Sequence, residues 1–313
     1  MQRWIAAFIV AVTFVSTAKH TLAQAVHAPA VEWETILDTF FHNDNGTIRL
    51  DSYVIAFAPE GELKAEVVIM GDDRKIRARF PFHSEANVRD GAFAKAGVQG
   101  PAEVQLTEPG LYNLIFVVNG KPATAFAFTL KDADTGDDEL NPKQAYHFDG
   151  LWRQFAHLTM RNFKDEQIPE LSFWVGGLDL PAGAKKGMYR AALLRDGKEV
   201  AHSKTNLGNI APGHYKRTKI DLWHPHETKT AANAKPFTST DWLAVDGKHE
   251  LRITRDDGQT IRTFPVEVTG GKFQKLPQTA LTHDPAVAYI VPRVAKKNVN
   301  VFEMTEAIWL QGK

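Results

Sequence analysis

The chain has 313 residues, of which 43% are hydrophobic and 24% charged, and its 37 basic side chains balance 37 acidic ones. This composition is typical of a globular protein, and the even charge argues against a nucleic-acid-binding surface or a polybasic membrane anchor. The chain contains no cysteine, which excludes disulfide bonds, thiol catalysis and thiolate metal sites. Each folded unit therefore has to be stabilised by packing alone.

The first 25 residues have the pattern of a secretory signal peptide. Arg3 gives a basic start, an uncharged apolar run extends over 4–15, and Ala23–Ala25 forms an A-x-A cleavage signal. The apolar run is shorter than the ~20 residues that a membrane-spanning helix needs. We therefore expect the mature protein to begin near Val26. We expect it to work in a bacterial periplasm or outside the cell, a location that the absence of cysteine also favours.

Residues 26–131 are predicted to form an N-terminal β-sandwich, because short alternating segments are separated there by turn residues. In the segment 76–82, Ile76 and Phe80 fall on one face while Arg77 and Arg79 fall on the other. Tyr112 stands near the start of a late strand. In immunoglobulin-like sandwiches a corner tyrosine occupies this position, so the segment resembles that architecture.

Residues 132–142 interrupt this pattern and are predicted to form an acidic, solvated linker. Their carboxylates also allow an alternative, a weak calcium site, because calcium prefers oxygen ligands on a flexible loop. The spacing does not follow a complete EF-hand loop, which favours the ion-free linker. The acidic side chains concerned are Asp132, Asp134, Asp137, Asp138 and Glu139.

Residues 143–271 are predicted to form a C-terminal β-sandwich, followed by an extension, 272–313, that packs on it. The pair Asp196-Gly197 lies between two runs of strand-forming residues and is the strongest hairpin signal in the chain. The segments 110–116 and 247–253 are similar, and each is followed by a turn and a closing strand. The fold class expected is thus all-β, with two tandem immunoglobulin- or fibronectin-like antiparallel β-sandwich domains and a C-terminal extension.

The densest group of metal-ligand side chains lies at 223–227. His224 and His226 are two residues apart in an extended segment, so both imidazoles point the same way, and Glu227 or His214 could complete a site. Zinc or copper suits nitrogen-rich ligation. Because the sequence supplies no second spaced pair of ligands, a loop with solvated histidines is the competing interpretation.

Tryptophan residues suggest a carbohydrate-binding alternative. Trp223 and Trp242 border the polar segment 228–241 and are expected to be partly exposed, where indole faces can bind sugar rings. Trp174 lies inside an apolar run and is expected in the core instead.

No nucleophile elbow, HExxH pair, P-loop or dinucleotide glycine motif occurs in the chain. We therefore expect a non-catalytic binding or scaffold protein with a protein or glycan partner outside the cytoplasm, and no nucleic acid or membrane span. Carbohydrate binding through exposed tryptophan and a histidine-ligated zinc or copper protein remain as alternatives.

Overall fold

The structure is a computed structural model. It describes residues 46–50, 53–57, 65–90, 93–98, 102–118, 120–133, 145–204, 207–225, 234–274, 294–298, 301–304 and 308–312. Antiparallel strands account for nearly all regular structure in these residues, so the all-β expectation is confirmed. Within the described segments, no helix is both long and apolar enough to cross a membrane. The signal sequence at 1–25 lies outside the described residues.

The strands before Gly150 form one seven-stranded antiparallel sheet and one two-stranded ladder. The large sheet has the order β2-β5-β4-β3-β7-β8-β9, and β1 pairs with β6. The strands are β1 (Thr47–Leu50), β2 (Tyr53–Phe57), β3 (Ala65–Gly71), β4 (Ile76–Asp90), β5 (Phe93–Val98), β6 (Ala102–Gln105), β7 (Gly110–Val118), β8 (Lys121–Ala133) and β9 (Ala145–Asp149).

Tyr112 on β7 ties its strand to the residues that precede it. Its side chain is buried, and its hydroxyl donates a hydrogen bond to the backbone carbonyl of Glu108 at 2.6 Å. Its ring stacks on Phe128 of β8, with ring centroids 5.5 Å apart. The tyrosine therefore holds the start of β7 against the preceding loop.

The strands after Gly150 form a larger antiparallel sheet with the order β18-β17-β16-β12-β13-β15-β11-β10-β21, and β14 pairs with β12. A separate ladder joins β19 to β20. The strands are β10 (Phe155–Phe163), β11 (Glu166–Gly176), β12 (Gly187–Arg195), β13 (Lys198–Ser203), β14 (Leu207–Ile210), β15 (Tyr215–Trp223), β16 (Gly247–Arg255), β17 (Thr260–Thr269), β18 (Lys272–Phe273), β19 (Val294–Asn298), β20 (Val301–Met304) and β21 (Ile308–Gln311). Three short turns of helix accompany them, namely the 3₁₀ turns Leu151–Gln154 and Gly177–Asp179 and the α-helix α1 (Ser239–Leu243).

This C-terminal sheet curls until it is nearly a closed barrel. Strands β17 and β21 approach each other closely, since a Cβ placed on Gly312 would lie only 2.9 Å from Phe264 Cε1. The inward side chains form one apolar core that extends from Phe173 on β11 to Leu310 on β21. Strands β18 and β21 belong to residues 272–313, so the C-terminal extension contributes strands to the sheet.

The hairpin predicted at Asp196-Gly197 is confirmed. Strands β12 and β13 pair up to Arg195 and Lys198, which leaves a two-residue turn. Asp196 and Gly197 both have positive φ, 49° and 75°, as a type I′ turn requires.

The two sheets meet where β9 ends. Strand β9 pairs with β8 through Asp132 and Ala133, so β8 continues into the first residues of the predicted linker. Gly177 has to be glycine at this junction, because a Cβ there would overlap the ring of His147 on β9. Arg153 bridges the sheets, since its guanidinium lies 3.2 Å from Asp149 Oδ1 and 3.0 Å from Asp179 Oδ1.

Asp179 is the centre of a buried charge cluster at this end of the curled sheet. Burial by itself raises the pKa of its carboxyl, but the charges of Arg262 and Arg153 outweigh burial and leave the pKa below its ordinary value. The carboxylate is therefore ionised and paired at neutral pH, and the cluster is a structural one.

Candidate functional site

The outward face of strands β21, β10, β11 and β15 carries an unusual group of polar and aromatic side chains. Because Ala156, Leu158 and Phe173 belong to the inward core, the residues that alternate with them point outward. His157 on β10 lies opposite Ser172 on β11 and opposite Trp309 on β21. Trp174 follows Ser172 by two positions and so shares its face. We call these four residues, His157, Ser172, Trp174 and Trp309, the His157 face.

The centre of the His157 face is buried although it lies outside the barrel core. His157 is 2% exposed, and Ser172 and Trp174 are 0% exposed. Trp309 is half-buried and forms the accessible edge. The rings of His157 and Trp174 are neighbours, with centroids 6.1 Å apart.

Each of the four side chains has a buried polar atom that finds no hydrogen-bond partner within the described part of the chain. We call these atoms, His157 Nδ1, Ser172 Oγ, Trp174 Nε1 and Trp309 Nε1, the open polar atoms. Leaving one buried donor or acceptor unsatisfied costs roughly 1–3 kcal/mol. Folded proteins satisfy nearly all such groups, so four of them in adjacent strand positions need a physical explanation.

The charges around the His157 face are positive. On β15, Arg217 lies opposite Trp174, and Lys219 lies opposite Ser172. Burial, together with the nearby charges of Arg217 and Lys219, lowers the pKa of His157 to about 3. His157 is therefore neutral at physiological pH, and the positive charge lies at the rim.

The acidic side chains next along these strands are already paired. Asp221 Oδ2 lies 2.5 Å from the guanidinium of Arg161, and Glu170 Oε2 lies 3.7 Å from it. These carboxylates follow Lys219 and precede Ser172 by two positions, on the same outward face. Both carboxylates are paired with Arg161. The basic side chains that β15 contributes to this face are Arg217 and Lys219.

The residues predicted to hold a metal are only partly within the described chain. His224 Nε2 lies 3.2 Å from Asp241 Oδ2, and Asp241 also caps α1 through Thr238. His214 is exposed, while His226 and Glu227 lie outside the described residues. In the segments that the structure describes, no three histidine, cysteine, aspartate or glutamate side chains are grouped to hold a metal ion. Zinc or copper at this loop stays a prediction.

The expectation that Trp242 is exposed beside Trp223 is wrong. Trp242 is 0% exposed, and its indole N–H donates a hydrogen bond to His249 Nδ1 at 2.7 Å. The physical reason is α1, which turns Trp242 into the core against Phe273. Trp223 is partly exposed, but the ammonium of Lys204 lies 4.4 Å above its ring.

Two other sequence predictions have different outcomes. Trp174 is fully buried as expected, although it lies on the outward face of the sheet rather than in the barrel core. The proposed calcium ligands mostly lie outside the described residues, since only Asp132 is described, and it belongs to β8. Calcium at this segment stays a prediction.

The site residues predicted from the sequence do not include His157, Ser172 or Trp309. The signal available for each was a polar or indole side chain alternating with apolar residues in a short strand. Such a pattern is also typical of any half-exposed strand. Only the pairing of β10 with both β11 and β21 brings the three side chains together.

Comparison with known proteins gives no relative. No protein family matches the chain, and neither a curated protein nor a solved structure is significantly similar to it. The function therefore has to be inferred from the chemistry of the site itself.

Proposed function

We propose that this chain is an exported, non-catalytic binding protein that takes a ligand on the His157 face. The observation that carries the proposal is the set of four open polar atoms in adjacent positions of three paired strands. A face that served only for packing would be more stable with apolar side chains at these positions, because apolar groups carry no cost of unmade hydrogen bonds.

The rigidity of the His157 face supports binding. Strands β10 and β11 each have a partner strand on both sides, so the backbone that carries His157, Ser172 and Trp174 is held by two ladders. Side chains on such a support lose little freedom when they meet a ligand, which favours affinity. Trp309, on the outer strand β21, is the half-buried side chain through which a ligand reaches the face.

Export is supported by the sequence alone. The leader with its A-x-A signal at Ala23–Ala25 and the absence of cysteine fit a protein of the periplasm or the extracellular space. Expression of the full chain in a Gram-negative host, followed by fractionation and mass measurement, tests this part. We expect a mature form beginning near Val26 outside the cytoplasm, and a cytoplasmic form that keeps its leader would contradict it.

We also propose that the N-terminal unit is an immunoglobulin-like sandwich. The corner hydrogen bond of Tyr112 and the separate β1–β6 ladder, which supplies strands for a second layer, support this assignment. Tyr146 on β9 ties the layers, since its hydroxyl donates to the carbonyl of Thr107 at 2.8 Å. The pairing of β9 with β8 favours a division between the units after Asp149 rather than at 143.

A ligand screen with paired variants tests the proposed function. The purified mature chain is screened by thermal shift against a small-molecule and oligosaccharide library, in parallel with Trp309→Ala and Trp223→Ala. Both variants truncate a partly exposed tryptophan, so they are matched. We expect ligands that stabilise the wild type to lose their effect in Trp309→Ala and to keep it in Trp223→Ala.

The opposite outcome of the screen identifies a different site. Oligosaccharides whose effect disappears only in Trp223→Ala would favour the carbohydrate-binding alternative at the loop after β15. Ligands that stabilise both variants as well as the wild type would overturn the proposal for the His157 face.

A further inference from the structure

We propose that His249 is a pH-sensitive switch, which holds helix α1 on the core of the curled C-terminal sheet and releases it when the imidazole ring gains a proton. The released element carries Trp242, whose indole belongs to the apolar core. The switch lies in a different part of the sheet from the His157 face, and it does not depend on a ligand there.

Helix α1 depends on its docking to the sheet. It has only 5 residues, Ser239–Leu243, and so short a helix is not stable by itself, because few hydrogen bonds offset the cost of its first turn. Trp242 anchors it, since its side chain is 0% exposed and packs beside the rings of Phe237 and Phe273. The indole N–H donates a hydrogen bond to His249 Nδ1 at 2.7 Å. The protonation of this ring nitrogen therefore decides whether the buried indole N–H has an acceptor.

The imidazole of His249 lies between two groups that can only donate. Trp242 Nε1 faces Nδ1, and Arg195 Nε lies 3.1 Å from Nε2. An indole N–H and a guanidinium have no acceptor capacity, whereas a neutral imidazole accepts through one of its two nitrogens. The neutral ring satisfies Trp242 when its own proton is on Nε2. The protonated ring accepts at neither nitrogen, so protonation breaks the hydrogen bond that holds Trp242.

The charges that face His249 disfavour the protonated ring. Burial and the charge of Arg195 on β12 lower the pKa of His249, and Asp196 in the adjoining turn opposes them. Strand β17 places the apolar Val266 opposite the ring, and the charged residue of α1, Asp241, accepts hydrogen bonds at the start of that helix. Arg195 Nη2 is buried without a hydrogen-bond partner in the described segments. A proton on His249 therefore adds a second positive charge beside a guanidinium that is incompletely hydrogen-bonded.

Acid should therefore weaken the docking of α1. When α1 is released, the His249 ring regains contact with water and its pKa returns toward the ordinary value of 6.5, above its value in the docked state. As the pH falls below 6.5, the released form binds a proton that the docked form excludes. The docking equilibrium constant should then fall by up to about tenfold for each pH unit.

Fluorine NMR of the full mature chain, labelled with 5-fluorotryptophan, measures the release. The Trp242 resonance is assigned by its absence from the spectrum of Trp242→Phe. As the pH is lowered from about 7.5 to about 4, the range in which histidine titrates, we expect this resonance to move toward the position of a solvent-exposed indole. The resonance of Trp152, which is also 0% exposed, should stay constant and show that the sheet remains folded.

Paired variants assign the release to His249. His249→Gln keeps an oxygen that can accept the indole N–H and does not titrate, so the Trp242 resonance should no longer depend on pH. Arg195→Gln removes the charge beside the ring, so only part of the release should remain. The matched controls are His202→Gln, at another buried histidine, and Arg190→Gln, at an exposed arginine of the same strand. Both should release α1 as the wild type does.

Each other outcome overturns the inference in a distinct way. A Trp242 resonance that stays constant in the wild type would overturn the release itself, and release that persists in His249→Gln would overturn the role of His249. A simultaneous change of the Trp152 resonance would show unfolding of the sheet instead of a local release. If His249→Gln does not fold, Arg195→Gln decides, and a release equal to that of Arg190→Gln would overturn the switch.

Discussion

Two regions of buried polar groups in the C-terminal sheet are organised differently. At the end of the curled sheet, Asp179 Oδ1 accepts hydrogen bonds from Arg262 at 2.5 Å and from Arg153 at 3.0 Å. Its Oδ2 accepts the backbone N–H of Gly176 at 2.9 Å. On the outward side, the His157 face carries its open polar atoms instead. Arg153 Nε of the Asp179 cluster also lacks a hydrogen-bond partner, but both oxygens of the buried carboxylate are paired within the fold. The two regions therefore differ in how far their hydrogen bonds are completed within the described chain.

The largest expected effect concerns the Asp179 cluster. Asp179→Ala leaves the guanidiniums of Arg262 and Arg153 without their shared carboxylate, and the side chain of Arg262 is only 7% exposed. We expect a loss of about 3–5 kcal/mol in the free energy of unfolding, because an unpaired buried charge is left behind. Urea unfolding measures this loss.

The control for Asp179→Ala is Glu199→Gln, which breaks the exposed pair with Arg190. That variant should lose less than about 1 kcal/mol, as exposed ion pairs usually do. Equal losses in the two variants would show that the Asp179 cluster contributes no more than a surface pair does.

A smaller loss is expected at the junction between the sheets. Gly177→Ala introduces a methyl group where the ring of His147 lies, and the carbonyl of Ala211 would be only 2.9 Å away. Overpacking of this kind costs about 1–3 kcal/mol. Thermal unfolding should show the loss, and the double variant Gly177→Ala, His147→Ala should recover part of it. No recovery in the double variant would contradict the role given to His147.

The sequence predicted features whose signals are local and missed features that depend on strand pairing. The turn at Asp196-Gly197 needs only two residues with positive φ between strand formers, so the sequence predicts it. Trp242 borders a polar segment, so the sequence predicts it to be partly exposed. The helix α1 that buries it is short, although Thr238 and Asp241 form a capping box that marks its start. His157 and Trp309 are distant in sequence, and no pattern in either strand shows that β21 pairs with β10.

His157 should also make the stability of the folded chain depend on pH. Its pKa is about 3 in the folded chain, against an ordinary value of 6.5. Between these values the unfolded chain binds a proton that the folded chain excludes, so stability falls as the pH decreases from 6.5 toward 3. The contribution has a slope of up to about 1.4 kcal/mol per pH unit.

Replacement of His157 by glutamine removes this titration. We expect His157→Gln to unfold with a shallower pH dependence than the wild type between pH 6.5 and 4, where carboxylates contribute less. Urea unfolding at a series of pH values measures the slopes. Identical slopes in the two proteins would mean that His157 is not held neutral by the fold.

The most specific prediction concerns two hydroxyl groups of this sheet, because their removal should change the free energy of unfolding with opposite signs. Ser172→Ala removes an open polar atom, so the free energy of unfolding should rise by up to about 1 kcal/mol without ligand. Thr218→Val removes a hydroxyl that bonds to the buried Tyr189 hydroxyl on the inward side, and it should cost about 1–3 kcal/mol.

Urea unfolding of both hydroxyl variants, with Thr269→Val as a control at an exposed strand position, measures the two signs. Opposite signs would show that the Thr218 hydroxyl is satisfied within the folded chain and that the Ser172 hydroxyl is not. A loss of stability in Ser172→Ala as large as that in Thr218→Val would mean that the Ser172 hydroxyl is satisfied within the folded chain. The His157 face would then be a packed surface like the inward one, because its polar atoms would no longer carry a cost that binding relieves.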